Sequence, residues 1–565
     1  MPALPLGRLS LAALLIATCV HDVACLWPMP RSYQSGSTPL VLANTFSIEV
    51  KIPNAPNDLA EAVTRTRSYL KNDQLERLVV GRGAADIARV KNAKQLKSLE
   101  LHLAQGAAKA RSVSAEAIVP LGSRSEEYTL TVPATGAPAI LSANSTLGLL
   151  RGLSTFEQFW YTAEGTSYTL EAPISIDDAP AFPYRGLMLD TARNFFPVSD
   201  IKRTLDAMSW AKMNQFHWHV TDSQSFPLEI PGFTEVATKG AYSSSFVYSA
   251  KDVQDIVSYA AARGIDVIAE IDTPGHTAII HESHPEHIAC FDSSPWSTFA
   301  NEPISGQLRF ASPSTTNFTT SLLGAAAKMF SSSLFSTGGD ELNQPCYDQD
   351  AQTQQILNST GQTLEDALET FVHTVHGGLK NLGKTPVVWE DLVLNHNVTF
   401  SNDTVVMVWT SSQAAVGVAA KNLRMVHAPA DYFYLDCGAG EWIGADPDGN
   451  SWCDPFKTWQ RSYVFDPFAN LTESQKSLVL GGQQVLWTEQ SGPENLDSIV
   501  WPRAVSSAEV FWTGPTPQDG SSRNVSSALP RLHDHRFRMV QRGIQAIPLQ
   551  PLFCALRPGA CDLTA

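Results

Sequence analysis

Two glycines followed by two acids, Gly338-Gly339-Asp340-Glu341, are the residues of this chain whose types and spacing are best suited to chemistry. They follow a short apolar run at 334–337 that reads as a buried strand. Side chains alternate along a strand, so adjacent acids can share one pocket only where the strand ends and the chain turns. Glycine permits that turn and lets backbone or ligand come close. Paired carboxylates serve general acid–base chemistry and the stabilisation of a developing positive charge. A turn leading into a helix cap is the plainer meaning of Gly-Gly-Asp, so the elements around the pair must decide.

From residue 180 onward, apolar runs alternate with helical segments. The runs fall at 185–189, 215–220, 266–271, 334–337, 386–389, 405–409, 432–435 and 484–487. This rhythm predicts an α/β fold, a closed (β/α)8 TIM barrel over 180–545. An open doubly wound sheet is the alternative, but no glycine-rich dinucleotide or phosphate loop follows a strand. Polar residues collect at the C-terminal ends of the runs, where a barrel carries its active face. They are Asp190; His217, His219 and Asp222; Glu270, Asp272 and His276; Asp340 and Glu341; Trp389 and Glu390; Trp409; Tyr434 and Asp436; and Trp487 and Glu489. Acids interleaved with flat aromatic rings suit a carbohydrate, since carboxylates hold hydroxyls and rings cover sugar faces. A zinc site is the competing reading of the same ends, built on His217, His219, Asp222, Asp272 and His276. Its ligand set is incomplete, and it gives the tryptophans no purpose. A non-catalytic carbohydrate-binding protein on a hydrolase scaffold is the second competitor.

Before the barrel, 26–175 reads as a small α+β domain. It has strands at 46–52, 98–103 and 128–132, helices at 57–70 and 146–159, and no convergent acids or histidines. A polar stretch at 71–97 is read as a surface linker with a helix. Residues 1–25 carry Arg8, an apolar run and a small-residue end, the pattern of a secretory signal and too short to span a bilayer. Residues 546–565 form a C-terminal extension. Removal of the leader leaves Cys290, Cys346, Cys437, Cys453, Cys554 and Cys561, an even set suited to an oxidising compartment. Proximity pairs them in that order, 290 with 346, 437 with 453 and 554 with 561, although other connectivities stay open. Acceptor sequons at Asn144, Asn317, Asn358, Asn397, Asn402, Asn470 and Asn524 agree with a secreted, extracellular glycoprotein. A hydrophobic content of 43% with 17% charged residues describes a folded globular chain, and a net charge of -16 argues against nucleic acid or an anionic membrane as partner.

Six segments, taken together and in order, carry a resemblance. They are Phe182-Pro-Tyr-Arg-Gly-Leu-Met-Leu-Asp190, Phe216-His-Trp-His-Val-Thr-Asp222, Glu270-Ile-Asp-Thr-Pro-Gly-His276, Gly338-Gly-Asp-Glu341, Tyr434-Leu-Asp436 and Leu486-Trp-Thr-Glu489. The chain resembles the family 20 glycoside hydrolases, most closely the secreted fungal β-N-acetylhexosaminidases, over about 26–545. The resemblance implies an exo-acting, retaining enzyme without a protein nucleophile, in which the 2-acetamido oxygen of the substrate attacks the anomeric carbon. It implies Glu341 as general acid and base with a raised pKa, Asp340 as the group that orients the acetamide, and Tyr434 as donor to its carbonyl. Trp389, Trp409 and Trp487 would wall the acetamide pocket. Arg185, Asp436 and Glu489 would bind ring hydroxyls, and Asp222 with His276 would form a chain behind Glu341. The substrates implied are chitooligosaccharides or N-acetylhexosamine-terminated glycans, with no cofactor or metal; relatives of this kind are commonly homodimers and can carry a processed propeptide, which makes 71–97 an alternative processing region. Ser336 and Asn194 stand where many relatives have histidine.

Overall fold

The computed structural model describes residues 25–516 and 523–564; the leader expected at 1–25 lies almost wholly outside them. Strict alternation shapes the first layer. Tyr128–Val132 runs buried, exposed, buried, exposed, buried, as a sheet with one covered face requires. It belongs to a six-stranded sheet in the order Ser32–Val50, Lys94–Leu103, Ala139–Ala143, Tyr128–Val132, Thr166–Asp178 and Tyr161–Ala163. The helices Asn57–Asn72 and Thr146–Phe156 bury Leu59, Val63, Leu147, Leu150 and Phe156 in the core that these strands share. Ser145 starts the second helix by accepting from the Gly148 amide at 3.0 Å.

The second layer has a different burial code. Tyr184–Asp190, Gln215–Thr221 and Asp266–Ile271 are buried at every position, as strands covered on both faces must be. They continue through Leu334–Ser336, Thr385–Trp389, Val405–Val408, Arg424–His427 and Val479–Leu486 and close into one eight-stranded barrel with parallel pairing throughout. Amphipathic helices cover it, among them Ala250–Ala261 and Leu364–Asn381, each opened by a capping box, Ser249 with Asp252 and Thr363 with Asp366.

One strand is not where the sequence pattern suggested. The run at 432–435 is no barrel strand; Ala430–Phe433 is a short helix, and the seventh strand is Arg424–His427. The segment looks strand-like because Phe433 and Tyr434 are buried, yet Tyr432 and Phe433 pack on Phe465 beside the barrel. Only Tyr434 makes an isolated bridge, to Val485 of the last strand.

Arg185 also needs correction as a hydroxyl-binding residue. It stands at the start of the first barrel strand, Tyr184–Asp190, at the end away from the rim, and is 1% exposed. Its Nη2 donates to Glu126 Oε1 at 2.6 Å, its Nε to Lys212 O at 2.9 Å and its Nη1 to Phe182 O at 2.8 Å. Arg151 adds a 2.8 Å bond to the same Glu126 oxygen. Glu126, buried and held down to about 2 by these guanidiniums against the opposing effect of burial, thus ties the sheet layer to the barrel floor. Arg185 is a structural ligand of that carboxylate, buried at the far end of the barrel from the rim.

Disulfides join Cys290 to Cys346, Cys437 to Cys453 and Cys554 to Cys561. All seven sequon asparagines are exposed. No helix among the described residues is long and apolar enough to cross a membrane.

Candidate active site

The fourth strand ends at Ser336, and the backbone then turns through left-handed Gly338 (φ 65°) and Gly339 (φ 97°). A Cβ on Gly338 would meet Asp272 Oδ1 at 1.9 Å, and one on Gly339 would meet the Leu392 side chain at 2.1 Å. Both conformation and space therefore demand glycine. The Gly339 amide donates to Asp272 Oδ1 at 2.8 Å. Glu341 itself has φ 55°, a strained value for a side chain of its size and one that recurs at functional sites. This turn delivers Asp340 and Glu341 to the mouth of the barrel.

A cavity of about 540 Å³ opens there, of a size that suits one sugar and part of a second. Asp340, Glu341, Trp409, Tyr434, Asp436, Trp487 and Glu489 line it. Trp409 and Tyr434 lie nearly parallel, 12° apart with centroids 6.4 Å apart, and Trp487 stands 6.4 Å from Tyr434 at 64°. Trp389 lies behind this wall. It is 1% exposed, its ring is 6.2 Å from Trp487, and its Nε1 donates to Glu270 at 3.1 Å. Trp442 and Trp452, on the loop stapled by the 437–453 disulfide, are 39% and 66% exposed and form the open rim.

His276 organises the acids. Its Nδ1 meets Asp222 Oδ1 at 3.1 Å, while its Nε2 is 3.5 Å from Glu341 Oε2 and 3.8 Å from Asp340 Oδ2. Burial opposes charge on His276, but Asp222 and then Asp272 outweigh it and hold the imidazole well above the ordinary histidine range. Burial likewise pushes Glu341 up, yet the hydrogen bond and charge of His276 prevail, so its carboxyl is held below the usual range. This reverses the raised value expected from sequence, because a protonated histidine faces the acid. Asp340 goes the other way. Burial, then the neighbouring Asp272 carboxyl, push it well above the carboxylate range, and its Oδ1 is buried with no hydrogen-bond partner among the described residues. Burial also pushes Asp436 up to about 7 and Glu489 well above its usual value.

Sequence reasoning missed Arg193. Its Nη1 pairs with Asp222 Oδ2 at 3.0 Å, its Nη2 with Glu302 at 3.0 Å, and its Nε lies 3.9 Å from Glu489. Its guanidinium sits 4.9 Å over the Trp487 ring. Position relative to the strand was the available signal: Arg193 follows the C-terminal end of the first strand, whereas Arg185 begins it. Asp391 and Glu302 were missed as well. The two positions that depart from the family pattern serve neighbours of the site: Ser336 Oγ donates to Glu270, and Asn194 Nδ2 donates to Thr488 O at 2.6 Å. His217, read as a possible zinc ligand, has both ring nitrogens engaged, with Glu270 at 3.0 Å and Gln483 at 3.1 Å.

Comparison with known proteins points to one family. The model described as glycosyl hydrolase family 20, catalytic domain, matches residues 182–515, and that described as beta-acetyl hexosaminidase like matches 26–159. A beta-hexosaminidase of Arthroderma benhamiae is 35% identical over 457 residues, 78% of this chain and 74% of that protein. A chitooligosaccharidolytic beta-N-acetylglucosaminidase of Ostrinia furnacalis is 30% identical over 580 residues, covering 98% and 92%. Among solved structures, a chitobiase of Flavobacterium johnsoniae superposes with TM-score 0.72 at 25% identity over 92% of this chain and 73% of its own. A Streptomyces plicatus beta-hexosaminidase, 22% identical with TM-score 0.68 over 94% and 97%, shares the fold.

Proposed function

The chain belongs to glycosyl hydrolase family 20, and we propose on that premise that Asp340 and Glu341 carry out substrate-assisted hydrolysis in the cavity described above. The enzyme is a β-N-acetylhexosaminidase that removes terminal β-linked N-acetylhexosamine with retention. The observation that carries the assignment of roles is the adjacent acid pair beside one histidine, facing a tryptophan- and tyrosine-walled cavity.

The sugar enters with its acetamide between Trp409, Tyr434 and Trp487. Glu341 donates a proton to the glycosidic oxygen as the C–O bond breaks, while the acetamide oxygen forms a bond to the anomeric carbon from the opposite face. Asp340 accepts the acetamide N–H and, as an anion, balances the positive charge that spreads over the cyclic oxazolinium. Burial keeps the Tyr434 phenol protonated, its pKa raised well above the usual value, as a donor to the attacking oxygen must be. Water then attacks the anomeric carbon, the Glu341 carboxylate takes its proton, and the ring oxygen–carbon bond of the oxazolinium reopens. Two inversions give retention. Arg193, Asp436 and Glu489 hold the hydroxyls of the terminal sugar, and their enclosure restricts the enzyme to chain ends. The exposed Trp452 offers a face to the departing sugar.

Chitooligosaccharides and glycans ending in N-acetylglucosamine or N-acetylgalactosamine are the substrates we assign. Export and glycosylation fit the leader pattern, the three disulfides and the exposed sequons. A homodimer is carried over from family likeness. Hydrolysis of paired aryl β-glycosides of N-acetylglucosamine and glucose tests the reading. Turnover of the acetamido sugar alone, indifferent to a chelator, is expected; equal turnover of both would overturn it.

A further inference from the structure

Behind the acid pair, the short helix Glu390–Leu394 after the fifth strand touches both halves of the site. Glu390 Oε2 accepts from the Trp409 amide at 2.9 Å and its Oε1 from the Thr410 amide at 3.2 Å, fixing the backbone of the loop after strand six. Asp391 Oδ2 accepts the Trp409 indole N–H at 2.6 Å. The backbone N–H of Glu341 faces the same carboxylate and lowers its proton affinity, and Leu392 fills the space in front of Gly339. Asp391 is 8% exposed. One buried carboxylate therefore bridges the left-handed backbone of the general acid and a wall of the acetamide pocket. Two N–H donors converge on one side chain, so both ends of that side chain are best served by acceptors. Aspartate accepts with either oxygen, whereas asparagine replaces one of them with an N–H₂ donor.

We propose that Asp391 is a positioning residue for the reaction: by holding the Glu341 backbone and the Trp409 indole together, it sets where the acid proton sits relative to the sugar that Trp409 covers. The proposal rests on the assignment of Glu341 as general acid. Its physical basis is the strain at φ 55°, which persists only where neighbours hold it, and the sensitivity of proton transfer to small displacements. Asp391 touches neither substrate nor reacting atoms, so its effect must appear as a defect in acid catalysis.

Leaving-group dependence reads that defect selectively. A dinitrophenyl glycoside leaves without protonation, whereas the disaccharide chitobiose needs it. Both carry the same acetamido sugar, so damage to the pocket cancels in their ratio. For Asp391→Asn we expect kcat/KM on chitobiose to fall roughly a hundredfold and on the dinitrophenyl glycoside less than about tenfold. Trp409→Phe removes the indole donor but keeps the carboxylate, so it should show the same skew in smaller measure. Equal losses on the two substrates in Asp391→Asn, or no skew in Trp409→Phe, would overturn the proposal. Glu341→Gln is the control. A skew there without one in Asp391→Asn rejects the positioning role alone, whereas no skew in Glu341→Gln rejects the acid assignment and the proposal with it.

Discussion

Glu341→Gln should lower kcat on chitobiose by about 10²–10⁴ while KM changes little, because the lost interaction is a proton given only in the transition state. Steady-state kinetics on chitobiose check this directly, and undiminished kcat would remove Glu341 from the reaction. The pH profile carries a second signature. Glu341 is held low by His276, and His276 is held high by Asp222 and Asp272 against burial. Between those two positions the pair keeps one proton, resting on the histidine and passed to Glu341 as the leaving oxygen gains charge. That proton is present below the raised pKa of His276 and is lost as pH rises through it. The alkaline limb of kcat/KM should therefore lie above the ordinary histidine range, and His276→Asn should move it downward.

Asp340→Asn should reduce kcat by about 10²–10³, the scale of losing one preorganised electrostatic partner. The asparagine keeps the shape, but it can turn an N–H₂ toward the acetamide N–H, and it cannot carry the charge that an oxazolinium induces. In the free enzyme Asp340 is pushed up by burial and by Asp272. Activity requires the ionised form, which is present above that raised pKa and is lost as pH falls through it. The acid limb should thus sit above the range of an ordinary aspartate, and kinetics as a function of pH should show it disappear in the variant. An acid limb unchanged by Asp340→Asn would assign the titration to another group.

Seven of the eight barrel strands could be located from their apolar runs, because strands buried on both faces leave continuous hydrophobic stretches. The seventh was misplaced. Arg424–His427 is only four residues long and begins with a half-buried arginine, while the nearby aromatic cluster advertised burial without pairing. The acid pair was legible because the glycines that create its turn are visible in the sequence, and the structure shows that nothing larger fits there. Arg185 misled because an arginine inside a matched segment looks functional unless strand polarity is weighed. It begins its strand and serves Glu126, whereas Arg193, three residues beyond the strand end, reaches the cavity. Asp391 and the lowered pKa of Glu341 were beyond sequence reasoning, since both depend on distances between segments far apart in the chain. His276 lies 65 residues before Glu341, and its charge, set by Asp222, decides the sign of the shift.

The central claim is that the substrate supplies its own nucleophile, and the most direct measurement is kcat/KM for aryl glycosides whose N-acetyl group carries zero, one, two or three fluorines. Each fluorine withdraws electron density from the amide oxygen while changing the glycone little in size. A steep, monotonic fall across the series is predicted, because the attacking oxygen weakens at every step. A flat series would mean that some other group attacks the anomeric carbon, and the roles given to Asp340, Tyr434 and the tryptophan-walled cavity would have to be abandoned.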